Sequence, residues 1–366
     1  MKKRESAYDL LRIVSSIAVI MIHVSANWFE KAILDVSVNG MCIADIRAPV
    51  AICIYNSISR FAVPCFIMLS GAFILDNEKN SDYKTFYLKS FSKIGIPSII
   101  FSLLYIVYRL FFCFCGENNS IFQLLKDIAV GSPMYHMWYL YMMAGVYAIA
   151  PVVLRFKNSI SERTFYRISF VFLVLACISS WTARTARLNW DIGQSFEYLG
   201  YFMVGYSIRK MCKYKNNRKA CIAILGGLLF ALCAAGLEYR QIIGGIAGEK
   251  YQIVSPYSPL IVFASVLIWE GFTLLDVNRN FIKCSDLTLY IYLIHAGVWD
   301  LISKMLARIN GREYLTDLNG GIWIIVFVMI VFAVSYALSK WYLWIWNLLD
   351  KEKRITKFMI RMVHLQ

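Results

Sequence analysis

The stretch Tyr8-Asp9-Leu10-Leu11-Arg12-Ile13-Val14-Ser15-Ser16-Ile17-Ala18-Val19-Ile20-Met21-Ile22-His23-Val24-Ser25 sets the character of the whole chain. It is apolar over nearly the length of a bilayer crossing, which takes about 20 helical residues, yet it carries an arginine near one end and a histidine near the other. An ionisable side chain inside a span costs a few kcal/mol on insertion scales, so each one is a functional candidate. At about 100° per residue, the spacing brings Arg12 and His23 within roughly 20° of one helix face and about 16 Å apart along the axis. Both side chains can therefore face one cavity. With the N-terminus inside, Arg12 lies one turn from the cytoplasmic surface and His23 lies beyond the midplane. That order suits an anionic donor entering from the cytoplasm and a proton transfer taking place farther out.

Working outward, apolar runs long enough for further spans recur along the 366 residues. Ten are expected, at about 8–28, 49–75, 91–115, 137–154, 165–181, 193–211, 219–237, 257–275, 286–307 and 320–348. Backbone groups in lipid must be satisfied within the segment, and no run alternates in the manner of a barrel strand, so the expected fold is an all-α membrane bundle. The composition agrees: 59% of residues are hydrophobic and 17% charged, with a mean hydropathy of +0.56, which no ordinary soluble domain shows. The net charge of +15 does not point to nucleic acid, because its basic residues fall in short clusters between apolar runs. The ten cysteines, Cys42, Cys53, Cys65, Cys177 and Cys284 among them, lack the paired spacing of a disulfide framework or zinc site and read as small core residues; no metal is expected. Lys2, Lys3 and Arg4 followed by Val24-Ser25-Ala26 also fit a cleaved secretory signal. Its polar lead would then have to include Asp9 and Arg12, so a retained span is the expectation.

Basic residues of the loops set the orientation. Lys79, Lys84, Lys89 and Lys93 mark one side, as do Arg155, Lys157, Arg163 and Arg167, then Arg209 to Lys219, then Arg279 and Lys283. The N-terminal Lys2, Lys3, Arg4 and the Lys351 to Arg361 cluster fall on the same side, which requires an even number of spans. Both termini are therefore expected in the cytoplasm. No linker, repeat or soluble catalytic region interrupts the chain, giving one membrane domain over 1–350 and a basic cytoplasmic tail over 351–366, lying on the anionic inner leaflet.

Further polar residues stand where lipid would not tolerate them unpartnered. Arg60 is too deep to snorkel and must find an anion or carboxylate, and Pro64 in Ser59-Arg60-Phe61-Ala62-Val63-Pro64 breaks its span where a helix lines a cavity. His136 stands before Trp138, Tyr139 and Tyr141 at an outer mouth. The aromatic belt explains the rings there but not the histidine. Gly200 and Gly205 allow close helix packing around Tyr198, Tyr201 and Tyr206. Glu270 is a candidate partner for Arg12 or Arg60, and His295 lies within the ninth run.

The chain resembles the acyltransferase family 3 proteins, integral-membrane O-acyltransferases of about ten spans, over nearly its whole length. The resemblance is carried by Arg12 and His23, the Ser59-to-Pro64 stretch with Ser70-Gly71, His136-Met137-Trp138-Tyr139-Leu140-Tyr141, Tyr198-Leu199-Gly200-Tyr201-Phe202 with Gly205-Tyr206, and Tyr290-Ile291-Tyr292-Leu293-Ile294-His295. It implies transfer of an acyl group, usually acetyl, from acetyl-coenzyme A to a hydroxyl of a cell-surface glycan or lipid-linked sugar in a bacterial plasma membrane. It also implies action of His23 at the reaction centre and holding of the donor by Arg12. No stretch reads as the extracytoplasmic hydrolase-like domain that part of the family carries. On this reading His23 is the general base, and Arg60 or Tyr139 stabilises the oxyanion beside His136. Arg12, Lys89 and Lys93 hold the donor phosphates, with His295 also on the donor side. Acyl-CoA, acceptor sugar and lipids are the expected partners, nucleic acid is not, and an oligomer is compatible. The alternative is a transporter of a small zwitterion such as serine, binding at a broken helix.

Overall fold

A computed structural model of the chain describes residues 5–39, 47–114, 121–129, 132–185, 193–243, 253–308 and 320–349. Those residues form helices and no strand. In order they are α1 (Ser6–Asn39), α2 (Arg47–Ser59), α3 (Ala62–Ile74), α4 (Tyr83–Ser90), α5 (Ile96–Phe114), α6 (Ile121–Ala129), α7 (Trp138–Ser159), α8 (Glu162–Thr185), α9 (Gly193–Met211), α10 (Asn217–Ile243), α11 (Pro259–Leu274), α12 (Ile282–Ser285), α13 (Thr288–Arg308) and α14 (Gly320–Leu349). The all-α expectation holds, and the chain is a multi-pass membrane protein.

Helices occupy all ten of the expected positions, but among the described residues six segments are long and apolar enough to cross a membrane by themselves: Ser6–Ala26, Val50–Ile74, Tyr83–Cys113, Trp138–Ser159, Asn217–Gln241 and Gly321–Leu349. α11 is apolar but 16 residues long. α8, α9 and α13 are long but more polar, carrying Arg163 and Arg167, Glu197 and Arg209, and His295, Asp300 and Lys304. Burial among neighbours, rather than hydropathy, makes α9 and α13 bundle helices: Tyr198, Tyr201, Phe202, Val204, Ile291 and Leu293 are all buried, whereas α8 exposes Val171, Val174, Leu175 and Ile178. The surface of the apolar helices is the reverse. Leu103, Val107 and Phe111 on α5 and Leu225, Leu229 and Leu232 on α10 are exposed at helical spacing, as lipid-facing stripes are.

Small polar residues turn inward and close their hydroxyls on the preceding turn, as lipid requires. Ser16 Oγ donates to the Arg12 carbonyl at 2.9 Å, Ser25 Oγ to that of Met21 at 2.7 Å and Ser265 Oγ to that of Ile261 at 2.7 Å. Ser207 also reaches across from α9 to Ser169 on α8 at 2.9 Å.

The expected break in the second run is real. α2 ends at Ser59, Arg60 and Phe61 form a turn, and α3 begins at Ala62. Pro64 lies in the first turn of α3, where its missing N–H leaves no intrahelical bond undone, and the Cys65 N–H bonds back to the Phe61 carbonyl at 2.9 Å. The third run begins earlier than expected, at Tyr83, because a π-helical turn at Phe91–Gly95 joins α4 to α5 just ahead of Pro97. α6, which hydropathy alone did not predict, is a short helix between α5 and α7 with Ile121, Phe122 and Leu125 exposed.

The chain forms two compact units, residues 1–73 with 163–336 and residues 74–162 with 337–366. In the first, α1 packs against α2, α11, α12 and α13, while α10 packs against α2 and α11. α3 crosses α9 so closely that a Cβ on Gly71 would collide with the Phe202 carbonyl oxygen, and one on Gly205 with the backbone of Met68. Gly200 meets the backbone of Leu173 in the same way, as the sequence led us to expect for both α9 glycines. In the second unit, α4 packs on α7 and α5 on α6, and Phe101 of α5 meets Tyr342 of α14 at 5.2 Å. Residues 351–366, the expected basic tail, lie outside the described residues, as do Lys2, Lys3 and Arg4.

Gly71→Val and Gly205→Val should each lower the melting temperature of the detergent-solubilised protein, at a cost of about 1–3 kcal/mol or more for overpacking. Gly236→Ala on α10, where an added Cβ meets nothing within 4 Å, should be neutral or stabilising by up to about 1 kcal/mol. Equal melting of all three variants would contradict the close crossing.

Candidate functional site

In the first unit the polar residues of α1, α2, α10 and α13 converge. The imidazoles of His23 and His295 lie with ring centroids 5.3 Å apart and planes at 33°. His295 is fully buried and His23 keeps partial exposure. The Nδ1 of His295 lies 2.6 Å from the Tyr292 carbonyl. A carbonyl only accepts, so Nδ1 carries the proton and Nε2 presents the lone pair. His295, expected on the donor side, is thus brought against His23.

Arg60 emerges at the α2–α3 break, and both His23 and Glu238 are within electrostatic reach of its charge. Its Nε donates to Asn56 Oδ1 at 2.8 Å, and Asn56 Nδ2 donates to Ser25 Oγ at 3.2 Å, two residues beyond His23 on α1. The backbone N–H of Arg60 bonds to the Ser57 carbonyl at 3.2 Å, while Ser57 Oγ donates to Glu238 Oε2 at 3.2 Å. Asn56, Ser57, Ser25 and Glu238 are all buried. Arg60 thus bonds to the Asn56 amide, while the end of α2 is bonded through Ser57 to an acid on α10 that the sequence reading passed over. Glu238 stands one residue past the expected span 219–237, where a charge reads as interfacial.

Toward the first turns of α1, Arg12 Nη1 donates to Asp9 Oδ1 at 2.8 Å, and the same oxygen accepts from Ser285 Oγ at 2.7 Å. Asp9 is buried, so the carboxylate beside Arg12 comes from its own helix three residues back rather than from Glu270. The Arg12 guanidinium lies 5.4 Å from the Phe73 ring centroid, and that of Arg209 lies 4.6 Å from the same centroid and 5.5 Å from the Tyr8 ring. Trp269 stacks on Tyr8 at 5.4 Å. Glu5 accepts from Arg209 Nη2 at 3.0 Å and from Lys215 Nζ at 3.1 Å. This end of the unit therefore gathers three cations and two carboxylates over aromatic rings, a surplus of one positive charge. Such a set fits a phosphate-bearing ligand.

The second unit holds the other expected residues. His136 is fully buried, edge-on to Tyr105 at 5.4 Å and 81° and beside Tyr135 at 5.8 Å. Its loop is held by Arg109, whose Nη1 bonds the Pro133 carbonyl at 3.1 Å and Asp127 Oδ2 at 2.8 Å. Tyr139, half-buried in the first turn of α7, bonds through its N–H to the His136 carbonyl at 3.5 Å. Lys89 and Lys93 are exposed, on α4 and on the π-helical turn. The structure thus gathers His23, Arg60, Arg12 and His295 in one unit, and His136, Tyr139, Lys89 and Lys93 in the other.

Burial pushes the Glu5 carboxyl up, but Arg209 and Lys215 more than offset it and hold Glu5 below its ordinary value near 4.5. A carboxyl held low stabilises the fold above 4.5 and loses that contribution as pH falls through its lowered value. Glu5→Gln should therefore lower the melting temperature at pH 7 by a small amount, as suits a half-exposed pair. Its deficit against wild type should shrink when both are measured well below pH 4.5. A deficit that grows on acidification would contradict the pairing.

A family model described as an acyltransferase domain matches residues 5–340, which spans both units and every residue of both clusters. No curated protein and no solved structure matches the chain. Two imidazoles and a guanidinium gathered within a bundle of apolar helices, under a match that covers nearly the whole length, have one family to account for them: the chain belongs to the acyltransferase family 3 and is a membrane acyltransferase.

Proposed function

We propose that the protein transfers an acyl group, acetyl in the first instance, from acyl-coenzyme A on the cytoplasmic side to a hydroxyl of an exported cell-surface glycan or lipid-linked sugar. The membrane is the bacterial plasma membrane, with both termini in the cytoplasm. The observation that carries the reading is the pairing of His23 with His295 at 5.3 Å inside the first unit, with Arg60 in electrostatic reach. A structural histidine needs one hydrogen-bond partner on a neighbouring helix, whereas two imidazoles and a guanidinium together assemble a base beside a stabiliser of negative charge. Uptake of a zwitterion gains no support from the family.

In the reaction, the acceptor hydroxyl oxygen attacks the thioester carbonyl carbon while a His23 ring nitrogen takes its proton. The carbonyl oxygen becomes an oxyanion, which Arg60 stabilises. Collapse re-forms the carbonyl, breaks the carbon–sulfur bond and expels the coenzyme A thiolate, which recovers the proton from His23. His295, held by Tyr292, packs its ring beside that of His23 and limits how that ring can turn. Arg12, with the surplus charge around Tyr8 and Phe73, receives donor phosphates from the inner face, and Lys89 and Lys93 add exposed cations for the same group. His136 and Tyr139 serve the acceptor at the outer mouth of α7. That assignment rests on the sequence reading, since they belong to the other unit.

General-base help is worth about 10² to 10⁴ in rate. His23→Ala should lower kcat by at least about 10²-fold in an acetyl-transfer assay with purified protein, while leaving binding of acetyl-coenzyme A within a few-fold of wild type. A variant with nearly full turnover would remove His23 from the mechanism. Acetyl-coenzyme A should also raise the melting temperature of the detergent-solubilised protein more than its dephosphorylated analogue does, because binding to the folded state alone is stabilising. Arg12→Ala should erase most of that difference. An equal response to both ligands would count against phosphate recognition.

A further inference from the structure

We infer that Glu238 is a positioning residue that, through Ser57, fixes the end of α2 from which Arg60 leaves the helix at the reaction centre. The inference rests on the acyl-transfer reading and extends it to a residue that neither the sequence reading nor the family match assigns a role.

Among the described residues two carboxylates are buried, Asp9 and Glu238. Asp9 belongs to Arg12, as the 2.8 Å ion pair shows. Glu238 is 2% exposed and stands at the far end of a 27-residue helix, four turns and more from the basic residues that open it. Burying a carboxylate there is costly unless hydrogen bonds and a cation compensate. Ser57 provides the hydrogen bond.

The geometry also ties Glu238 to the backbone at the helix break. Ser57 is bonded at both ends, its hydroxyl donating to Glu238 and its carbonyl accepting the N–H of Arg60. Glu238 therefore clamps the last turn of α2 at the point where the helix breaks and Arg60 leaves it. From Arg60 the chain of bonds runs through Asn56 to Ser25, on the helix that carries His23. The carboxylate of α10, the break in the α2–α3 span and the base on α1 are thus tied in one series.

The test is a set of purified variants, Glu238→Gln, Glu238→Asp, Ser57→Ala, Arg60→Ala and the double variant Arg60→Ala with Glu238→Gln, each measured for kcat, KM for acetyl-coenzyme A and melting temperature. A misplaced reacting group costs up to about 10²-fold in rate, so Glu238→Gln should lower kcat by about 10- to 100-fold with KM within about twofold. Glu238→Asp should restore part of the loss. Ser57→Ala should lower kcat several-fold without a matching fall in melting temperature, and it decides the matter should Glu238→Gln fail to fold. Adding Glu238→Gln to Arg60→Ala should cost little more, because residues that act through one another are non-additive. Wild-type kcat in Ser57→Ala and Glu238→Gln, or losses that multiply in the double variant, would overturn the role of Glu238 while His23 kept its own. Full activity in His23→Ala with the Arg60–Glu238 coupling intact would instead sink the general-base reading alone.

Discussion

Charge inside hydrocarbon has to be answered by charge or by dense hydrogen bonding, and that constraint arranges this protein. Arg12 pairs with Asp9, itself held by Ser285, while Arg60 bonds to Asn56 and stands on a turn whose Ser57 is bonded to Glu238. The two arginine sites are joined by α1, with Asp9 and Arg12 in its first turns and His23 eleven residues beyond Arg12. A donor's charged end and reactive end could not be served by one point in the bilayer; two partnered cations separated along a single helix serve both.

Backbone geometry makes room for this. The α2–α3 break is what turns Arg60 out of its helix, and the Arg60 and Cys65 N–H groups on either side of it still find carbonyls. Directly after it, α3 lies backbone to backbone with α9 through Gly71 and Gly205. Helices cannot slide or rotate at such a contact without collision, so the half-span that follows Arg60 is anchored. Closely packed small residues and inward hydroxyls hold this unit together where hydrophobic burial, which lipid makes nearly neutral, does not.

Much of this was legible in the sequence, for reasons that can be named. Hydropathy placed helices at all ten positions because apolar runs are the solvent's own imprint. Helical periodicity put Arg12 and His23 on one face, and Arg60 announced that it needed an acid. What sequence could not supply was tertiary choice. Glu270 was a plausible carboxylate for Arg12, yet the ion pair formed is with Asp9, three residues away on the same helix. Glu238 was overlooked because a charge at the end of an apolar run looks like an interfacial boundary. The contact of His295 with His23 links residues 272 positions apart, and no local pattern records it. α6 escaped because nine residues are too few for a span and its apolar face reads as loop noise.

The central claim is that the transferred acyl group is delivered to the His23–His295–Arg60 cluster. Photolysis of the purified protein with an acyl-coenzyme A carrying a diazirine at the end of its acyl chain, followed by peptide mapping, tests this most directly. The account predicts label on the α1 peptide around His23, the α2–α3 turn around Arg60 and the α13 peptide around His295, competed away by acetyl-coenzyme A. Competable label confined to residues 74–162, with none on those three peptides, would contradict it.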